Sequence, residues 1–203
     1  MRSILALLAA SVSLTGCMAA LAASEAPAEP GSAVPELTTR HTSVYNRIDY
    51  LIPDGWVVID GETDWIAPRM DLQEGHAGYD PELHPTFSAA VILPYLSVRD
   101  VQQKRQASLE GLARATLAAL FDGQGAIALA DPSATQLGGK PAWIIRARMR
   151  DGRILHQAFV SLPNDQVGFA AAVGPANLAD RSGALVESIA ATIAPQASQT
   201  EIE

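Results

Sequence analysis

Asp151-Gly152 stands between two runs in which apolar and polar residues alternate, Pro141 to Arg150 and Arg153 to Leu162. Asp-Gly in that position predicts a tight two-residue hairpin loop, because glycine tolerates the positive φ that such a turn demands. The loop sets the pairing: Arg150 faces Arg153, and Trp143 faces Val160. Trp143, Ile145, Ala147 and Met149 then share one face with Ile154, His156, Ala158 and Val160. The opposite face carries Ile144, Arg146, Arg148 and Arg150 beside Arg153, Leu155, Gln157 and Phe159. One face reads as core, the other as basic with apolar neighbours. A chain with this hairpin is committed to an antiparallel sheet.

The other elements are placed by similar signals. Ile48 to Ile52 and Trp56 to Ile59 read as strands around a Pro53-Asp54-Gly55 turn, and Asp64 to Ala67 as a short third strand. A polar stretch from Pro68 to Pro85 follows, and Thr86 to Leu93 resumes as a buried strand. Ser97 with Asp100 fits a capping box. Val98, Val101, Arg105, Leu109, Leu112, Thr116 and Leu120 recur at helical spacing as far as Asp122-Gly123, which predicts one helix from Ser97. Ala126 to Ala130 reads as a strand, Leu137 to Pro141 as a turn, and Val167 to Val173 as the last strand. Asn177 caps a closing helix to about Ile189, with Leu178, Leu185 and Ile189 facing in. The fold class is α+β, an antiparallel sheet flanked by two main helices.

The N-terminus says where such a chain lives. Met1-Arg2 gives a positive start, and an apolar run from Ile4 to Leu14 is too short to span a bilayer, as in a secretory signal. Leu14-Thr15-Gly16-Cys17 looks like a bacterial lipobox, whose cysteine is acylated and becomes the new N-terminus. Cys17 is the only cysteine, so acylation leaves no thiol for a disulfide. Residues 1–16 are the expected signal peptide, 17–43 a lipidated, Ala/Pro/Glu/Ser/Thr-rich linker, 44–195 the folded domain and 196–203 a tail. The linker can hold the domain up to roughly 80 Å from a bilayer at ~3.1 Å per residue. Met18 follows the cysteine where an Asp would signal inner-membrane retention, which favours the outer membrane of a two-membrane host.

Loss of Arg2 with the signal leaves 13 basic against 22 acidic residues, a formal charge of −9. That balance argues against nucleic acid and against electrostatic adhesion to anionic headgroups, so the membrane partner is reached through acyl chains. No cofactor is expected beyond the covalent lipid on Cys17.

The element order, the entry Tyr50-Leu-Ile-Pro-Asp-Gly-Trp56, the single long helix after Leu93, Leu137-Gly-Gly-Lys-Pro-Ala-Trp143 and the hairpin before a final helix together resemble the PsbP-like superfamily. DcrB-like and LpqN-like bacterial lipoproteins are nearest in plan, over Tyr45 to Ala194. The resemblance implies an antiparallel sandwich with accessory or binding roles and no catalytic motif to carry across.

Chemistry-bearing groups are few. Glu74, His76, Asp80, Glu82 and His84 crowd one loop, and imidazole with carboxylate suits Zn²⁺. Their spacing matches no ligand pattern and Asp80-Pro81 and His84-Pro85 read as turns, so the loop is taken as solvated. His156 reads as a hydrogen-bonded core histidine beside Ala147, and Trp56, Trp65 and Trp143 as core anchors. No serine sits in a nucleophile elbow, and the glycine pairs lack a phosphate-loop pattern. Arg146, Arg148, Arg150 and Arg153 either pair with carboxylates on a covering helix and lie over apolar neighbours, or form a docking face for an acidic partner. Three roles follow: a non-enzymatic binding or accessory lipoprotein with an envelope protein partner, a metal-binding or metal-dependent protein using the 74–84 loop, or a structural part of an envelope assembly.

Overall fold

The computed structural model describes residues 34–59, 63–68, 95–102 and 108–196. The lipobox at Leu14–Cys17, the expected strand Thr86–Leu93, and the loop residues Glu74, His76, Asp80, Glu82 and His84 lie outside them.

Two antiparallel sheets and two helices make up the described fold. The small sheet joins β1 (Leu37–Ser43), β2 (Ile48–Pro53) and β11 (Ala194–Pro195) in the order β1-β2-β11. The main sheet holds β3 (Trp56–Ile59), β4 (Asp64–Pro68), β5 (Tyr95–Gln102), β10 (Gln166–Gly174), β9 (Ile154–Leu162) and β8 (Lys140–Arg148), in that spatial order. Beyond β8, two short strands share its outer edge, β6 (Ile127–Ala128) against Arg148 and Ala147, and β7 (Ser133–Leu137) against Ile144 to Lys140.

Helix α1 (Leu109–Gln124) covers one face of the main sheet, where Leu112 and Leu120 pack with Ile145, Met149, Phe159 and Val167. Helix α2 (Ala179–Thr192) and the small sheet cover the other, where Leu185, Ile189 and Ile193 meet Ile48, Tyr50, Ala158 and Val160. β9 is therefore buried on both faces, with Ser161 its one partly exposed residue. That explains why apolar residues fall on both of its faces with His156 and Gln157 buried among them, which alternation alone describes poorly.

The hairpin forms, but one residue out of the expected pairing. Trp143 faces Phe159 and Arg148 faces Ile154. The loop has three residues, Arg150-Asp151-Gly152: Gly152 N–H donates to the Met149 carbonyl at 2.9 Å and Met149 N–H to the Arg153 carbonyl at 2.8 Å. Gly152 takes φ 87°, the left-handed residue of a turn closed by a bulge. A one-residue slip turns over one strand relative to the other. Trp143, Ile145 and Ala147 thus share the α1 face with Leu155, Gln157 and Phe159, while Ala142, Ile144, Arg146 and Arg148 share the α2 face with Ile154, His156, Ala158 and Val160.

Other expectations need correction. Residues 97–102 belong to β5, paired with β10 and in part with β4, and the helix starts at Leu109, twelve residues after Ser97. Its cap is Ser108, whose hydroxyl accepts from Gly111 N–H at 3.0 Å; Gly125, at φ 61°, closes its far end. Leu37–Ser43, expected in the linker, pairs with β2, in register from Thr39 to Ser43 and with a shift between Leu37 and Thr39. β7 and β11 had no expected counterpart, and the 126–130 strand contracts to Ile127–Ala128. Asn177 lies in a 3-10 turn (Ala176–Leu178), so α2 begins after it with no side-chain cap. Leu112, Thr116, Leu120, Leu178, Leu185 and Ile189 face inward as expected.

Candidate functional site

The hairpin arginines do not form one face. Arg153 is held within its own turn: Asp151 accepts from its backbone N–H at 3.1 Å and from its Nε at 2.7 Å. That guanidinium bond holds the Asp151 carboxyl below the usual carboxylate range. Arg146 reaches across to α2 and donates to Asp180 Oδ1 at 2.9 Å. Arg148 is exposed on the α2 side of the sheet, opposite Ile154 on one edge and Ile127 on the other. Arg150 is exposed at the loop, its Nε 3.8 Å from where a Cβ on Gly125 would stand.

Beneath the first half of α2 lies a cluster of ionisable groups. His156 pairs across the strands with Arg146, and its Nε2 comes within 3.0 Å of Glu187 Oε1. The approach falls outside hydrogen-bond geometry, so Nε2 and Nδ1 both remain without a hydrogen bond, as does Ser182 Oγ nearby on the helix. His156 is buried as expected, but it lies on the α2 side opposite Arg146, and the expected hydrogen bond is not made. Burial, reinforced by the Arg146 charge and opposed by Asp180, pushes its imidazole down to about 4. Burial also raises the Glu187 carboxyl, against the pull of Arg146.

Gly183 makes this packing possible. A Cβ there would lie 2.6 Å from His156 Nδ1, so the ring presses on bare helix backbone. A glycine within a helical pattern costs about 1 kcal/mol against alanine and so marks a close approach. That signal was present in the sequence and could have located the cluster. With the ring neutral, covered by the helix and 6% exposed, the arrangement can fix a helix on a sheet. It offers no open position at which a substrate could meet the imidazole.

The far end of α2 is held by the glycine pair of the sequence. Lys140 Nζ donates to the carbonyls of Ala191 at 2.8 Å and Ile193 at 2.7 Å, taking up free acceptors of the last turn. Burial lowers the pKa of this amine. Gly138, at φ 56°, lies so close that a Cβ would stand 2.2 Å from the Ala191 carbonyl oxygen. Trp56 is buried in the core, whereas Trp143 is partly buried against the α1 cluster and Trp65 is half-buried.

No family model matches the sequence, and no curated protein matches it. Solved structures do. The cyanobacterial PsbP protein CyanoP from Synechocystis is similar at a TM-score of 0.51 and 13% identity, over 82% of this chain and 96% of that one. LpqN from Mycobacterium tuberculosis, described as involved in cell envelope biogenesis, matches at 0.44 and 16%, over 72% and 82%. A Pseudomonas aeruginosa protein of unknown function, PA94, matches at 0.43 and 16%, over 72% and 89%. The likeness to CyanoP at such identity is one of fold: a PsbP-like α+β architecture of antiparallel sheets and two helices.

Proposed function

We propose that this chain is a lipid-anchored protein of the cell envelope that serves as a non-enzymatic binding or accessory module. The observation that carries the reading is Leu14-Thr15-Gly16-Cys17 behind a short apolar run and a basic start. Acyl chains on Cys17 provide membrane attachment that an acidic protein does not gain from headgroup charge. In the described part, His156 is closed beneath α2 with Arg146 and Glu187 partly exposed beside it, while Arg148 and Arg150 face solvent as cations open to an acidic protein partner. The likeness in plan to DcrB-like lipoproteins agrees with this role. With Met18 after the cysteine, the outer membrane is the favoured site in a two-membrane host.

The test is Cys17→Ser in the full chain. Metabolic labelling with a palmitate analogue is expected to mark the parent and not the variant, and the variant is expected to accumulate as a larger, unprocessed precursor. Equal labelling of both removes the anchor and the reading with it.

A further inference from the structure

The turn that joins β1 to β2 is built with its polarity reversed. Val44 and Tyr45 project at its tip, 76% and 66% exposed, while Ser43 and Asn46 on either side of them are buried. Turns ordinarily keep their polar side chains in water. Here Asn46 donates from its backbone to Ser43 Oγ at 3.3 Å, and from Nδ2 to the same hydroxyl at 3.1 Å and to Asp64 Oδ1 at 3.2 Å. Arg47 next to it takes φ 55°, a left-handed backbone that is costly for a residue with a Cβ. Its carbonyl accepts from Gln196 N–H at 2.9 Å. The turn is thus braced from within and holds an aliphatic and an aromatic side chain out in solvent.

Charge at this end of the small sheet departs from that of the whole chain, which has 22 acidic and 14 basic residues. From Arg40 to Tyr50 the exposed charged residues are Arg40 and Arg47. Asp49 is buried beneath Arg40, its ion-pair partner, and Asp64 is buried behind the turn. Arg47, beside the apolar tip, makes no side-chain ion pair among the described residues.

We infer that this turn dips into the surface of the bilayer to which the chain is anchored. Valine, tyrosine and arginine side by side suit a membrane interface. The apolar body enters the acyl boundary, the ring lies at headgroup depth with its hydroxyl wet, and the guanidinium meets lipid phosphate. Zwitterionic lipid supplies both partners, so the acidic balance of the whole chain does not oppose the contact. Two side chains fall far short of the ~800 Å² per partner that a stable protein interface buries. A tethered domain needs only a weak second contact, because the anchor already holds it at high effective concentration near the surface. The reach is sufficient. Residues 18–33 lead from Cys17 to the described fold and span up to roughly 50 Å at ~3.1 Å per residue. β1 carries the turn at its far end, and its seven residues span about 23 Å at ~3.3 Å per residue. The inference rests on the lipid-anchor reading above and adds the end of the domain that turns to the membrane.

The test uses the full, acylated chain with Val44→Cys, in which Cys17 carries lipid and the new thiol is the one free to label. An environment-sensitive fluorophore on it is read after reconstitution into phosphatidylcholine liposomes. The control is the same probe on Asp122→Cys, exposed at the end of α1, which leads to β6 at the opposite edge of the main sheet from β4. The Val44→Cys probe is expected to shift to the blue and to be quenched severalfold by a nitroxide-labelled lipid, and the Asp122→Cys probe to do neither. Adding Tyr45→Asp to the Val44→Cys chain is expected to abolish both signals. Flotation with the liposomes while the Val44→Cys probe stays open to aqueous iodide overturns the inference and leaves the anchor in place. Protection in whole envelopes but not in protein-free liposomes puts a protein on the turn and overturns it too. A parent chain that does not float removes the anchor, and this inference with it.

Discussion

Burying an imidazole between a helix and a sheet makes folding depend on pH. Unfolded, His156 takes a proton below its ordinary 6.5, whereas in the fold it resists protonation down to about 4. Between those values the unfolded chain binds more protons, so stability rises with pH across the window and is lost as pH falls through it. A gap of that size is worth about 3 kcal/mol. Arg146 adds to the effect and Asp180 opposes it, while the raised Glu187 carboxyl favours the fold at the acid end and is partly screened by its exposure. Urea unfolding at pH 7 and pH 4.5 is expected to show the loss in the parent and a flatter response in His156→Leu. An unchanged slope in the variant would place the pH dependence elsewhere. Gly183→Ala is expected to cost about 1–3 kcal/mol through overpacking. In a His156→Ala background most of that cost disappears, because the ring it strikes is gone.

At the scale of elements, α2 is fixed at two ends by different means. Its N-terminal half sits on the His156 ring, and its C-terminal carbonyls are held by Lys140. Lys140→Met keeps the apolar stem and removes the donor, which leaves two carbonyls short of a partner. The expected cost is about 1–3 kcal/mol, and hydrogen exchange in the last turn of α2 is expected to speed up before that of α1. Equal acceleration in both helices would show that Lys140 does not act locally. The Gly-Gly-Lys turn was visible in the sequence, but its purpose required knowing what packs over it. The helix boundary was obscured for a related reason. Val98 and Val101 continue the three- and four-residue spacing of a real helix by coincidence, and Ser97 with Asp100 imitates a cap. Pairing of residues 97–102 with β10 outweighs that local pattern. β1 escaped because an edge strand reading Leu-Thr-Thr-Arg-His-Thr-Ser has little apolar alternation, and its pairing with β2 supplies the rest. Asp-Gly correctly marked the hairpin, yet the same dipeptide serves a two-residue loop and a three-residue loop with a bulge. The choice between them moved Arg146 and His156 onto one face and changed the reading of the site.

At the scale of the molecule, the small sheet and the main sheet are joined by a buried polar seam as well as by core contacts. Asp64 on β4 is fully buried; its carboxylate accepts from Tyr50 Oη at 2.9 Å and from Asn46 Nδ2 at 3.2 Å. Asn46 in turn donates to Ser43 Oγ at 3.1 Å, at the end of β1. The Tyr50 ring itself lies in the core shared with α2, 1% exposed. A carboxylate in such a place is stable only with its donors, so removing one costs more than the bond was worth. Tyr50→Phe keeps the ring and deletes the donor, with an expected loss of about 1–3 kcal/mol. Because the seam and the core run continuously between the sheets, the loss is expected to appear as one transition shifted to lower urea, with unchanged slope and with tryptophan fluorescence and far-UV circular dichroism coincident. Trp56 at the head of β3, buried in that same core, reports on the junction directly. Two separated transitions, the first carrying a fluorescence change while most of the far-UV signal remains, would mean that the small sheet can leave while the main sheet stands. The α2 face would then be covered by the helix alone, and the three layers would not form one cooperative unit.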